Sequence, residues 1–185
     1  MKLELRYLPT SLTLFRIAII PLLVVAYYLP WGHITSVILF AVACITDWFD
    51  GYLARSLNLS TSFGAFLDPV ADKLLVVAAL ILVIKRFDYL VVPGMIIIGR
   101  EVLISALREW LAKINDKTRI AVSYTAKVKT TVQMFAIVFL LASPPDSYLW
   151  LRVIGYILLY MAMALTLWTM LMYIKMSWNQ FRKSM

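Results

Sequence analysis

The sequence predicts an all-α integral membrane protein of six transmembrane helices. Composition is the first reason: of 185 residues, 63% are hydrophobic and only 15% are charged. The mean hydropathy of +0.85 lies far above that of ordinary soluble domains. Length is the second. Apolar runs of about 20 residues, enough to cross a bilayer at about 1.5 Å per residue, recur six times. Those runs use up almost the whole chain, so residues 1–185 are expected to form one membrane domain without a separate soluble part.

The runs lie near residues 12–30, 34–55, 65–85, 89–112, 122–142 and 148–174. Pro9-Thr10-Ser11 is expected to open the first, with Thr10 or Ser11 as its N-cap. Arg16 and Pro21 lie inside this run, further spans follow it and no small-residue cleavage pattern closes it, so it is not read as a secretory signal. Pro30-Trp31-Gly32 turns the chain, with Tyr27, Tyr28 and Trp31 as interfacial anchors. A polar turn at 58–62 joins the second and third runs, and the third ends at Lys85-Arg86. Pro93-Gly94 marks a kink or a close-packing point in the fourth. Polar turns at 115–117 and 143–146 precede the fifth and sixth, and Trp178, Phe181, Arg182 and Lys183 form a basic, aromatic tail. Cys44 is the single cysteine, which excludes an internal disulfide and reads as core packing. His33 stands alone at a span edge and reads as a surface residue.

Net charge is +8, and its placement sets the topology. Six spans put both termini on one side, together with the connections after the second and fourth. Those segments carry Lys2, Arg6, Arg55, Lys113, Lys117, Arg119, Lys127, Lys129, Lys175, Arg182 and Lys183, against Lys85, Arg86 and Arg152 on the other side. The positive-inside rule then places both termini in the cytoplasm. The short N-terminus lacks the Arg and Ser richness of an organelle transit peptide, so a bacterial plasma (inner) membrane is expected. Nucleic acid is excluded as a partner, because no basic face with stacking aromatics extends beyond the membrane. Most of the basic excess reads as topology and attraction to anionic lipid.

Four of the ten acidic residues fall between Asp47 and Asp72. In lipid each costs roughly 2.5–3.5 kcal/mol, so four together imply a paired, hydrated or metal-holding site. At about 100° per residue, Asp47, Asp50, Gly51 and Ala54 share roughly a 100° arc of one helix, and Gly64, Asp68 and Asp72 an arc of about 80° on the next. A short turn makes the two helices antiparallel neighbours, so all four carboxylates are expected to converge at the cytoplasmic end. They cannot all stay ionised without cations among them. Hard divalent ions, Mg²⁺ or Mn²⁺ and two in number, are the natural counter-charge for an all-oxygen set. Two such ions could bridge a pyrophosphate, and Arg55 could contact phosphate, which points to metal-dependent phosphoryl transfer at a membrane surface. A buried charge network and a cation pathway are the other readings. Transporters usually show two related halves, and residues 90–185 hold no counterpart of the aspartate cluster.

D47-x2-D50-G51-x2-A54-R55-x8-G64-x3-D68-x3-D72 resembles the signature of the CDP-alcohol phosphotransferase family at every fixed position. The similarity to bacterial members extends to L12-T13-L14-F15-R16, F63-G64-A65-F66-L67-D68-P69-V70-A71-D72-K73, R100-E101-V102-L103-I104-S105-A106-L107-R108-E109-W110 and K127-V128-K129-T130-T131. Thr10 stands where many members have Asn. The resemblance implies that a phosphatidyl group moves from CDP-diacylglycerol to an alcohol with release of CMP, and that the enzyme is a homodimer. It implies that Asp47, Asp50, Asp68 and Asp72 hold the metals and that Asp72 is the catalytic base. It assigns Asp50, Gly51, Ala54, Arg55 and Gly64 to CDP binding.

The signature does not name the alcohol. Arg100 lies mid-span in the fourth run, where a lone Arg is costly without an anionic partner. Arg108 sits on nearly the same face, and Lys127 and Lys129 open the fifth run. These four cations are expected to bind the phosphate of an acceptor such as sn-glycerol 3-phosphate, whereas choline or ethanolamine would be repelled. Arg100 could instead pair with a motif aspartate or with Glu101 of a neighbouring chain, and Lys127 and Lys129 could simply snorkel to the interface. Phosphatidylglycerol and inositol phosphate are the alternative acceptors.

Overall fold

The computed structural model describes residues 2–57, 62–114, 124–144 and 149–184. Among them the chain forms α1 (Lys2–Tyr27), α2 (Gly32–Leu57), α3 (Ser62–Arg86), α4 (Val91–Ile114), α5 (Tyr124–Ala142) and α6 (Leu149–Ser184). A 3-10 turn, Asp88–Leu90, joins α3 to α4. The helices fall on the six apolar runs, and every regular element of the described residues is helical. Two boundaries differ from expectation. Helix α1 starts at Lys2 and passes through Pro9, since a proline forgoes one backbone hydrogen bond without having to end a helix. Helix α6 continues through the basic tail to Ser184, and its 36 residues span about 54 Å, longer than a bilayer core of about 30 Å.

By length and composition, two helical stretches of the described residues qualify to cross a membrane, Asp88–Leu107 and Leu149–Met172. Shorter apolar stretches cover Ser11–Tyr27, Gly32–Asp47 and Val128–Ala142. Helix α3 carries Asp68, Asp72 and Lys73 in its first half.

Each helix turns one stripe inward. On α1 the buried positions are Thr13, Arg16, Ile19, Leu23 and Ala26, and on α5 they include Lys129, Gln133, Ala136, Ile137 and Leu140. On α6, Leu159, Ala162, Thr166 and Thr169 are buried, as is Gly155. These spacings of three and four place each set on one helical face. The outward faces carry Phe15, Leu22, Phe66, Met95, Leu103, Trp168 and Leu171. Polar groups buried inside and large apolar groups outside reverse the pattern of a soluble protein and suit a lipid-facing surface.

Close helix contacts depend on small residues. A side chain at Gly94 on α4 would meet Ile84 of α3, and one at Gly155 on α6 would lie 2.6 Å from Leu140 Cγ and 3.3 Å from the Leu140 backbone nitrogen on α5. Gly94 is therefore a close-packing point. The α5–α6 and α1–α2 pairs are the most extensive, and α1 also packs along α3. Helices α2 and α3, expected as close neighbours, touch only sparsely because α1 lies against both.

Contacts at one end of the bundle fix the alternation of the helices. Lys85 Nζ donates to the Tyr28 hydroxyl at 2.6 Å, and the Arg86 guanidinium lies 5.2 Å from the Tyr27 ring centroid. Arg86 also donates to the carbonyls of Leu141 at 3.2 Å and Ser143 at 3.0 Å, satisfying acceptors that a helix C-terminus leaves open. Arg152 donates to the Pro144 carbonyl at 3.0 Å and faces the Phe87 ring at 5.4 Å. The ends of α1, α3 and α5 and the start of α6 thus meet at one end. It follows that Thr13 and Arg16, Asp47, Asp68 and Asp72, Arg100, Lys129 and Gln133, and Thr166 and Thr169 all lie toward the opposite half. The buried charged side chains, Arg16, Arg100 and Lys129, all lie in that half, whereas the buried polar residues of the other end are the neutral Ser36 and Ser143.

Candidate active site

At the polar end, Arg16 gathers three of the motif aspartates, Asp47, Asp68 and Asp72. Its side chain is fully buried. One terminal nitrogen lies 2.8 Å from Asp47 Oδ1 on α2. The other donates to Asp72 Oδ1 at 2.7 Å and to Asp68 Oδ1 at 3.3 Å, both on α3. Thr13, one turn earlier on α1, donates to Asp68 Oδ1 at 3.4 Å. A guanidinium suits this position because its planar fork presents five N–H donors to several carboxylates at once. The carboxylates meet across α1 rather than through direct packing of α2 on α3. Pro69, directly after Asp68, lies within α3 and, lacking an N–H, leaves the Ala65 carbonyl one turn earlier without its helical donor.

Arg16 was not among the site residues read from the sequence. The available signal was an arginine inside an apolar run, the same signal that singled out Arg100. The other motif residues are placed less fully. Gly64 lies half-buried in the first turn of α3. Asp50, Gly51, Ala54 and Arg55 lie on α2, but their side chains fall outside the described residues.

The donor set is compatible with a hard divalent cation. Asp47, Asp68 and Asp72 supply only oxygen, and their side chains remain 35%, 41% and 43% exposed, so Arg16 holds them from within while their outer sides stay open. Three carboxylates against one guanidinium leave a deficit of two positive charges in this set. Among the described residues, no group of three or more His, Cys, Asp or Glu side chains forms a ready-made metal site. Arg16 supplies the nearby counter-charge.

A second polar cluster joins α4, α5 and α6. Arg100 pairs with Glu101 at 3.3 Å and donates to Thr169 Oγ1 at 2.9 Å, while Lys129 pairs with the same Glu101 oxygen. Arg100 and Lys129 are both buried, as is Gln133 one turn beyond Lys129. Within the chain, and among the described residues, Arg100 pairs with Glu101 rather than with Asp47, Asp68 or Asp72. Lys129 is an ion-paired interior residue rather than a snorkelling one. Arg108 on α4 and Lys127 on α5 have side chains outside the described residues.

The two clusters share a seam. Cys44 Sγ on α2 lies 3.8 Å from Met134 Sδ on α5, and the two helices run antiparallel. Asp47 is three residues beyond Cys44 and Lys129 five before Met134, so both lie about 5–8 Å toward the polar end. The carboxylate and cation clusters stand at similar depth on adjoining helices.

The family model described as CDP-alcohol phosphatidyltransferase matches residues 6–168. The chain belongs to the CDP-alcohol phosphatidyltransferase family. Within this family it is similar to enzymes named CDP-diacylglycerol–glycerol-3-phosphate 3-phosphatidyltransferase. The Salmonella choleraesuis enzyme is 50% identical over 171 residues, covering 90% of this chain and 92% of the relative. Those of Shigella flexneri and Escherichia coli are each 48% identical with the same coverage. The matched region takes in the aspartate cluster with Arg16 and, of the second cluster, Arg100, Glu101 and Lys129.

Proposed function

We propose that this protein transfers the phosphatidyl group of CDP-diacylglycerol to sn-glycerol 3-phosphate, giving phosphatidylglycerol phosphate and CMP. The observation that carries the reading is the meeting of Asp47, Asp68 and Asp72 on Arg16 at the polar end of an otherwise apolar bundle. The relatives, half identical over nearly their full length, are named for this reaction. Phosphoryl transfer needs little covalent chemistry from a protein, but it needs charge placed where the attacking and leaving oxygens carry it.

Asp47, Asp50, Asp68 and Asp72 would hold divalent cations, Mg²⁺ or Mn²⁺, which when bound supply positive charge to the pyrophosphate. Asp72 accepts the proton of the acceptor hydroxyl as that oxygen bonds to the phosphatidyl phosphorus and the bond to the CMP oxygen breaks. Gly51, Ala54 and Gly64 leave room for the CDP group, and Arg55 meets its phosphate. Lys129 and Arg100 face the acceptor phosphate with Arg108 and Lys127. Glu101 neutralises one of the first two cations, so that pair retains a single positive charge for an anionic acceptor. The common depth of Asp47 and Lys129 across the α2–α5 seam supports an acceptor bound beside the carboxylates.

The protein acts as a single six-span domain in the bacterial inner membrane, with both termini and the active site facing the cytoplasm. Apolar outward faces and basic polar-end connections support this placement. The family resemblance implies a homodimer. The deciding assay mixes purified protein with CDP-diacylglycerol, Mg²⁺ or Mn²⁺ and competing acceptors, then follows CMP release and product mass. Phosphatidylglycerol phosphate should dominate. Preferential use of inositol phosphate or phosphatidylglycerol would overturn the acceptor, and absence of CMP release with every acceptor would overturn the transferase reading.

A further inference from the structure

We infer that Arg16 is the resident counter-ion of the aspartate site and competes with divalent cations for the same carboxylates, holding the site together when metal is absent. The inference rests on the proposed metal-holding role of the aspartates. It starts from an asymmetry of burial. The Arg16 side chain is fully buried, whereas the three carboxylates it contacts are each more than a third exposed. The guanidinium reaches them from inside the bundle, and their outer sides remain open to an ion arriving from the polar end.

The packing explains why a cation is needed there. Helices α2 and α3 carry the aspartates but touch each other sparsely, and α1 lies against both. In a metal-free protein the acidic faces of α2 and α3 would repel one another, and Arg16 places a positive charge between them. Contacts at 2.7 and 2.8 Å are the short distances of charge-assisted hydrogen bonds, one to each acidic helix. A divalent ion on the outer side would draw carboxylate charge away from Arg16 and repel the guanidinium as a like charge. Both effects have one sign: metal weakens the hold of Arg16, and Arg16 weakens the hold on metal. Such coupling is necessarily reciprocal. Arg16 is thus a positioning residue. It keeps α1, α2 and α3 in register when the site has lost its metal, without having to touch substrate.

The test compares wild-type protein, Arg16→Gln and Arg16→Lys, each as the purified full chain in one detergent. Metal is removed by chelation, thermal unfolding is followed against added Mn²⁺, and Mn²⁺ binding is measured by electron paramagnetic resonance. Without metal, Arg16→Gln should unfold at a lower temperature than wild type, and Mn²⁺ should raise its Tm by more. Its Mn²⁺ affinity should increase on the order of tenfold, as expected when a full charge is removed a few ångströms from a divalent ion in a partly hydrated site. Arg16→Lys, which keeps the charge, should stay near wild type in Mn²⁺ affinity. Unchanged or weaker Mn²⁺ binding by folded Arg16→Gln would overturn the competition. So would an Arg16→Gln protein that fails to fold even in saturating Mn²⁺, since the metal should replace the missing charge. Wild-type protein that binds no Mn²⁺ would overturn the metal reading itself.

Discussion

Arg16 and Asp72 are 56 positions apart, yet a guanidinium nitrogen of one lies 2.7 Å from a carboxylate oxygen of the other. The pair ties the first helix to the residue assigned as base. It also gives Asp72 a fixed orientation, since the same guanidinium is held by Asp47 and Asp68. A base must stand within hydrogen-bond reach of the proton it takes, and this anchoring limits how far Asp72 can move.

Replacing Asp72 by Asn preserves shape and an oxygen acceptor for Arg16 while removing the proton-accepting charge. Turnover should fall by about 10²- to 10⁴-fold, the usual contribution of a general base. Binding of CDP-diacylglycerol should remain within a few fold of wild type. Single-turnover CMP release, set beside equilibrium binding of the nucleotide lipid, separates the two quantities. Near-normal turnover would remove Asp72 as base.

Metal removal makes a complementary prediction. The described carboxylates exceed the positive charge of Arg16, so a site accommodating a pyrophosphate as well needs added cations. Chelation should abolish CMP release, and Mg²⁺ or Mn²⁺ should restore it, whereas monovalent salt at equal ionic strength should not. Sustained turnover in thoroughly metal-depleted protein would rule out a metal requirement.

Much of this arrangement is legible in the sequence, and the rest depends on packing. Six apolar runs and the i, i+4, i+8 spacing of Gly64, Asp68 and Asp72 are local patterns, and helices formed where those patterns lie. Arg16 is legible only as an oddity, because its partners come from α2 and α3 and are fixed by α1 packing against both. The Arg100–Glu101 pair is hidden for another reason. Adjacent residues on a helix do not normally face each other, so spacing argues against the contact. The long arginine nevertheless reaches Glu101, which Lys129 also contacts from α5. The early start of α1 was missed because Pro9 followed by Thr10 and Ser11 has the local form of a helix start even inside a longer helix.

Glu101 holds two buried cations, so its loss should be felt first as instability. Glu101→Gln leaves Arg100 and Lys129 without their shared carboxylate, a change of the kind that costs about 3–5 kcal/mol when a buried ion pair loses one member. Adding Lys129→Met should recover part of that loss, because one of the stranded charges is gone. A double-mutant cycle from denaturation midpoints measures the coupling. Strict additivity would show that the contact carries no net interaction.

The α5–α6 contact offers a test of packing remote from the aspartates. A Cβ at Gly155 would overlap the Leu140 side chain and press on its backbone nitrogen. Leucine can shift its side chain, but the backbone of α5 cannot yield without moving the helix. Gly155→Val should therefore destabilise the protein by about 1–3 kcal/mol, the usual range for overpacking. Its Tm should fall while the KM values for both substrates stay unchanged in the folded fraction. A Tm equal to wild type would show that the two helices separate without penalty.

Acceptor choice is the most discriminating prediction, because it depends on the cluster joining α4 and α5. Two cations share one carboxylate there, and the remaining positive charge favours an acceptor with its own phosphate. If Lys129 meets that phosphate, Lys129→Met should raise the KM for glycerol 3-phosphate by about one to two orders of magnitude, equivalent to a lost charge-assisted hydrogen bond of roughly 1.5–3 kcal/mol. The KM for CDP-diacylglycerol should change little. Arg108→Ala should behave similarly if it shares the phosphate. Arg100→Met should act differently, since Arg100 also holds Thr169 on α6; its main effect should be a lower Tm. Glycerol without phosphate should be a poor acceptor, because it brings no anion to a cluster in which two cations share one carboxylate. Initial rates with glycerol 3-phosphate and glycerol, measured for each variant and for wild type, test every part of this pattern. If Lys129→Met and Arg108→Ala raise both KM values equally, these residues support the bundle rather than the acceptor, and the phosphate must be recognised elsewhere.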